Sequence, residues 1–214
     1  MKKVTLLVVM LAFFANIAMA QNKERVNAFN YNKNAQGYIT TAEQLMVQNR
    51  ADKAQKQMAN AKIELTRAKT SIDLAAAHDE TKNDAKTWHY YGVIYLKIAT
   101  YPEFAEIDTD ALSKCADAFR KLVELDETYF KNNYGEIITY IQSITTNYFN
   151  QGALAYEAGD YAKAIECYKQ AYNTMAIIGQ KDNEALLVAA QIAVMSKEYN
   201  SAIELCNTLI ENGF

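Results

Sequence analysis

Two histidines (His78, His89), three cysteines (Cys115, Cys167, Cys206) and two close carboxylate pairs (Glu103 with Glu106, Asp108 with Asp110) are the residues whose chemistry needs weighing first. A helical zinc site takes two His four positions apart, often as H-E-x-x-H, and no such pair occurs. Neither G-x-G-x-x-G nor G-x-x-x-x-G-K-[ST] is present, so the glycine-rich cradles for phosphate are missing. A G-x-S-x-G nucleophile elbow is also missing. The carboxylate pairs have the types needed for general acid and base work. Acids flanking a loop and a helix start more often cap the helix or stay solvated. No catalytic residue, metal ligand or cofactor is therefore assigned, and the expectation is a protein that is not an enzyme.

The elements that must position these residues are helical. Seven Gly and one Pro in 214 residues lie well under the average of ~12% for the two together, too few turn-formers for a sheet sandwich. With 50% apolar and 22% charged residues the chain has a core-forming balance. The cysteines are few, odd in number and widely spaced, which argues for packing as small apolar residues rather than a disulfide framework.

Residues 1–20, MKKVTLLVVMLAFFANIAMA, combine a basic start, an apolar run from Val4 to Ile17 and a small-x-small end at Ala18-Met19-Ala20. That is the layout of a cleaved export signal. The run is shorter than the ~20 residues of a membrane-spanning helix, and Gln21 offers no cysteine for a lipid anchor. The expectation is cleavage after Ala20 and export, to the periplasm of a Gram-negative bacterium, with no transmembrane anchor. Losing two Lys and no acid takes the formal charge from −3 to −5, which speaks against nucleic acid as a partner.

A repeat emerges from Tyr148 to Asn173, YFNQGALAYEAGDYAKAIECYKQAYN. Gly152 and Ala155 share one helical face, Gly159-Asp160 breaks the helix, and Ala164, Tyr168 and Ala171 form a second apolar face. Small residues let two antiparallel helices approach, and the aromatic fills the space beside them. This segment resembles the tetratricopeptide repeat, a helix–turn–helix unit of ~34 residues with the pattern W-x₂-L-G-x₂-Y…A-x₃-F. Trp88, Tyr91, Gly92 and Tyr95 fit the same first helix one unit earlier, followed by Cys115, Phe119 and Leu122. Tyr95 to Cys115 is 20 positions, so a surface loop near 98–108, holding Pro102, is inserted there. Leu186, Ala190 and Ala193 pair with Ala202, Cys206 and Leu209 at the C-terminal end. There Cys206 is expected to face inward, and Ile203, Leu205 and Ile210 to be partly bare. Residues 51–77 read as one long helix whose partner comes from about Lys23 to Gln48. The fold expected is all-α: a helix–turn–helix solenoid of about four repeat units after the signal peptide. Its segments are 1–20, a divergent pair at 21–82, and units at 83–129, 130–178 and 179–214, the one at 130–178 with an N-terminally extended first helix and the last without a capping helix.

The resemblance implies partner binding along a concave face lined by first helices. Carried over by register, the inward positions are Lys86, His89, Val93, Leu96 and Lys97, then Thr146, Phe149, Ala153, Tyr156 and Glu157, then Glu184, Leu187, Gln191, Val194 and Met195. His89, Val93, Phe149, Tyr156, Leu187, Gln191 and Met195 are the candidate contacts, a largely apolar line suited to a peptide or a helix. A clamp for a C-terminal carboxylate, as in chaperone-binding members, is not expected, because Phe149 and Ala153 replace polar positions. The function expected is a protein–protein interaction scaffold whose partner belongs to the cell envelope. The alternatives are an accessory protein of carbohydrate or nutrient uptake, stacking sugars on aromatic faces, and the regulatory N-terminal part of a longer protein. The last helix has no polar helix behind it, which fits a fragment, a partner that caps the end, or self-association there.

Overall fold

Alanines recur every seventh residue in the N-terminal third: Ala28, Ala35 and Ala42, then Ala54, Ala61, Ala68 and Ala75, all essentially inaccessible to solvent. A seven-residue spacing keeps one seam of a helix facing a partner, and alanine lets the two backbones come close. In the structure, a computed structural model, these seams join α1 (Lys2–Val47) and α2 (Ala51–Ala77) into a long helical hairpin. Residues 22–214 are described in full, and only the backbone is described for 2–21, so the export signal and its cleavage after Ala20 lie outside the described residues. The sharp turn between the helices carries no glycine. Asn49, with φ of 56°, takes the left-handed position there, as Asn does more readily than most residues.

Three further hairpins follow: α3 (Ala85–Thr100) with α4 (Ala111–Leu125), α6 (Tyr134–Glu157) with α7 (Tyr161–Ala176), and α8 (Asn183–Met195) with α9 (Tyr199–Glu211). A short helix, α5 (Glu127–Asn132), precedes α6. Each hairpin packs on its neighbour through α2–α3, α4–α6 and α7–α8, so the described residues form an all-helical solenoid without strands. Its apolar interior falls into two clusters. One reaches from Ala28 to Tyr148 and takes in Ala171 and Ala185, the other gathers residues between Ala155 and Leu209, and Phe149 and Tyr172 touch both. Among the described residues no helix is long and apolar enough to cross a membrane.

Helix starts are set by capping aspartates. Asp84, Asp126, Asp160 and Asp182 each accept a backbone N–H from the first turn of α3, α5, α7 and α8, satisfying a donor that the helix itself leaves unpaired. Asp84 also holds Arg25 of α1 in an ion pair, which ties the first hairpin to the second.

The inserted segment lies largely at the surface, as expected near 98–108, but it is an ordered turn rather than an open loop. Pro102–Ile107 forms a 3-10 turn, and Phe104 within it is fully buried. Lys62 pairs with Glu106, and Lys69 lies 3.4 Å from Asp108, which also binds Lys114 at 2.7 Å. One aromatic side chain and a charge network thus anchor the insertion to the helices beneath it, while Glu103, Ala105 and Glu106 stay exposed, with Pro102 at the first position of the turn, where its missing N–H costs nothing.

The C-terminal hairpin departs from expectation in two residues. Leu205 is buried, whereas Cys206 is exposed. Cys206 occupies the register position of Phe119 and Tyr168. Phe119 is covered by Tyr140 of the next first helix, and no described helix follows α9 to cover Cys206. Cys115 and Cys167 are buried as expected.

The α6–α7 turn places Gly159 at φ of 78°, and the matching α8–α9 turn places Lys197 at 65°. A side chain with a Cβ in this region costs roughly 1–2 kcal/mol. Lys197→Gly is therefore expected to stabilise the protein by about 1 kcal/mol in urea unfolding, whereas Gly159→Lys should destabilise it by a similar amount.

Candidate interaction face

The first helices α1, α3, α6 and α8 line one side of the solenoid, and α6 divides that side in two. Glu136 and Tyr140 lie on its flank toward α3, where the Tyr140 ring is 5.9 Å from that of His89. Phe149 and Tyr156 lie on its flank toward α7 and α8. The Phe149 ring meets Tyr168 edge-on at 5.3 Å, and Tyr156 Oη is 4.0 Å from Met195 Sδ.

The C-terminal half is an apolar strip. Tyr156, Leu187, Val194 and Met195 are all exposed, Met195 by 61%, and Gln191 is exposed among them. Large apolar side chains clustered in the open on a rigid scaffold mark an interaction surface. They are exposed because Ala185, Leu186, Ala189, Ala190 and Ala193 already fill the buried face of α8.

The N-terminal half is a groove of about 690 Å³ between α1, α3, α5 and α6. Phe29, Asn32, Lys33 and Gln36 form one wall, and Lys86, Tyr90, Val93 and Lys97 with His89 form the floor. Tyr129, Asn133, Glu136 and Tyr140 form the other wall. Lys97 Nζ donates to Asn32 Oδ1 at 2.9 Å. Among the described residues, Lys33, Lys86 and Lys97 make no ion pair. Burial pulls the Lys97 ammonium down to a pKa of about 8, because the charged form loses solvent without gaining a countercharge.

Five of the seven candidate contacts therefore sit on the C-terminal half and two in the groove. Tyr156, Leu187, Gln191 and Met195 stand exposed together. Phe149 is half-buried against Tyr168, so part of its ring is packing. Val93 is half-buried in the groove floor. His89 is not the exposed contact its register implied. It is buried, with Nδ1 2.9 Å from Tyr129 Oη and Nε2 3.9 Å from Glu136. Burial lowers its pKa, and Glu136 only partly opposes this. Leu96, also an inward position by register, is buried as well. His89 is covered by the N-terminal extension of α6 with α5, whose Tyr140 and Tyr129 rings lie 5.9 Å and 5.8 Å from its own.

Sequence reasoning named Lys86 and Lys97 as inward positions but missed Asn32, Lys33, Gln36 and Tyr140. A signal was present in α1. Phe29, Asn32 or Lys33, and Gln36 recur at three- and four-residue spacing, on the flank beside the buried alanines.

The register rests on close helix contacts. A Cβ placed on Gly92 would lie 2.6 Å from Phe119 Cε2, and one on Gly152 would lie 3.0 Å from Tyr168 Cε2. In both units the aromatic of the second helix presses on the glycine of the first. A family model of the tetratricopeptide repeat matches residues 146–174, which cover most of that second contact pair's hairpin. No curated protein matches the chain.

Proposed function

We propose that this tetratricopeptide-repeat-containing chain is a non-enzymatic scaffold that binds a peptide or a helix of another protein along its first-helix face. Tetratricopeptide repeats generally mediate protein–protein interaction. The observation that carries the reading is the exposed strip of Tyr156, Leu187, Val194 and Met195, held by two packed hairpins rather than by loops. A preformed helical surface loses little conformational entropy on binding, so apolar contact area there translates efficiently into affinity. A segment with apolar residues at helical spacing, or an extended one, fits such a strip. The basic, apolar, small-residue order of residues 1–20 supports an address outside the bacterial cytoplasm, so the partner is sought among envelope proteins.

The test is affinity capture from an envelope extract with residues 21–214, beside a Tyr156→Asp, Met195→Asp double variant. Both positions are exposed, so the variant should keep the helical circular dichroism and the melting temperature of the parent. One or a few proteins retained by the parent and reduced at least tenfold by the variant is the expected result, since buried apolar and aromatic anchors contribute about 2 kcal/mol or more each. Equal retention by both proteins would remove the strip as the binding site.

A further inference from the structure

We propose that the groove between α1, α3, α5 and α6 receives an acidic stretch of the partner segment, its Asp and Glu side chains meeting Lys33, Lys86 and Lys97. This rests on the peptide-binding reading above and adds a charge requirement to it. The chain is acidic overall, with 25 Asp and Glu against 22 Lys and Arg, yet the groove gathers three lysines and a single carboxylate, Glu136. That carboxylate is already engaged, accepting a hydrogen bond from Tyr140 Oη at 2.8 Å and facing His89.

Several lysines elsewhere are paired within the fold: Lys62 with Glu106, Lys69 with Asp73 and Asp108, Lys82 with Asp79, and Lys131 with Glu127, while others, such as Lys53, Lys56 and Lys163, are unpaired but exposed to solvent. The groove lysines are also unpaired among the described residues, and Lys97 is half-buried with one neutral amide as its partner. A charged amine kept out of water without a countercharge opposes folding, and departures of this kind concentrate where a ligand supplies the missing partner. The amides favour a peptide. Asn32 uses its oxygen for Lys97, which leaves its NH₂ to donate, and Gln36 uses its NH₂ for Thr40 Oγ1 at 3.3 Å, which leaves its oxygen to accept. Peptide backbone needs both kinds of partner. Phe29 and Tyr90, with rings 5.2 Å apart, supply an aromatic wall beside them. Three lysines in one groove of an acidic protein are too small a positive footprint for a nucleic-acid backbone.

The probe is a displayed library of random 12-residue peptides, selected on the full chain, on a Lys33→Gln, Lys86→Gln, Lys97→Gln variant, and on the Tyr156→Asp, Met195→Asp variant. The parent should enrich peptides with clustered Asp and Glu, and the lysine variant should lose that enrichment. A selected acidic peptide, measured by fluorescence anisotropy, should bind the lysine variant about tenfold or more weakly, since bonds to charged groups exceed neutral ones. It should also weaken as salt rises. A control removing three exposed lysines elsewhere, Lys53, Lys56 and Lys163, should leave binding within about twofold, and Lys33→Gln with Lys86→Gln alone serves if the triple variant does not fold. Apolar peptides without acid enrichment, still dependent on Tyr156 and Met195, would overturn the groove proposal and leave the scaffold reading standing. No peptide selected by the parent would overturn both. Binding of an acidic oligosaccharide such as oligogalacturonate, lost in the lysine variant without any acidic peptide, would overturn the peptide as occupant.

Discussion

Truncating Phe119 to alanine is expected to lower the unfolding free energy by about 3–5 kcal/mol, the range for deleting a buried aromatic side chain. The ring is fully buried, lies against Gly92 of α3, stacks on Tyr140 of α6 at 5.6 Å and tilts against His89 at 6.2 Å. It therefore joins three helices, and the cavity left behind cannot close without moving one of them. The same contact approached from the glycine side gives a second expectation. Gly92→Ala forces a Cβ toward the ring and should cost about 1–3 kcal/mol by overpacking, although alanine is the better helix former. Gly92→Ala combined with Phe119→Leu should cost less than the sum of the two single changes, because the smaller side chain makes room for the added methyl. Urea unfolding of the four proteins checks this. Strict additivity would mean that the two residues do not share one packing site. Because Phe119 also backs the groove wall at His89 and Tyr140, Phe119→Ala should loosen the groove as well as the core.

Lys97→Met is expected to act in the opposite direction, stabilising the protein by about 1–3 kcal/mol at pH 7. The sign follows from the depressed pKa. Lys97 in the folded protein holds its proton only below about 8, whereas the unfolded chain holds it up to about 10.5. Between these values the unfolded state binds more protons, so wild-type stability from this group rises with pH across that window. Below about 8 the folded protein carries the full cost of the charge, and above about 10.5 the cost is gone. The advantage of Lys97→Met should thus shrink as pH rises from 8 to 10.5, in urea unfolding at matched ionic strength. The other ionisable groups around the groove are Lys33 from α1, Lys86, His89 and Tyr90 from α3, Tyr129 from α5, and Glu136 and Tyr140 from α6. They remain in both proteins, and the Lys97 shift comes from burial rather than from any of them. An advantage that stays constant with pH would show that methionine gains from packing instead of from removing a charge. Increased stability with weaker binding of an acidic peptide would be the exchange expected of a residue kept for function.

Much of the architecture is legible in the residues alone. Gly92 with Phe119 and Gly152 with Tyr168 announce helix pairs in contact, because a small residue opposite a large one has a simple packing consequence. The long second helix, 51–77, appears with the bounds expected, since nothing within it breaks a helix. Asp84 stands where a first turn needs a side-chain acceptor. The seven-residue alanine seams of the first hairpin were equally visible but follow a coiled-coil rule rather than the glycine–aromatic rule of the later units. The repeat register therefore locates the helix from about Lys23 to Gln48 without assigning an inward role to Asn32, Lys33 or Gln36 on it.

What periodicity determined about this protein is which face of each helix is buried, because that depends on spacing within a single helix. What only the tertiary structure decided is which of the remaining faces stay open. Tyr129 of α5 and Tyr140 of α6 cover His89, and the 3-10 turn draws Phe104 inward. Cys206 is exposed because no described helix covers its side of α9. The groove lysines come from α1 and α3, with Lys33 64 positions before Lys97, and only the packing of one hairpin on the next brings the two to the same opening. Exposure and electrostatic environment are properties of neighbours in space, and no rule of spacing along one helix contains them.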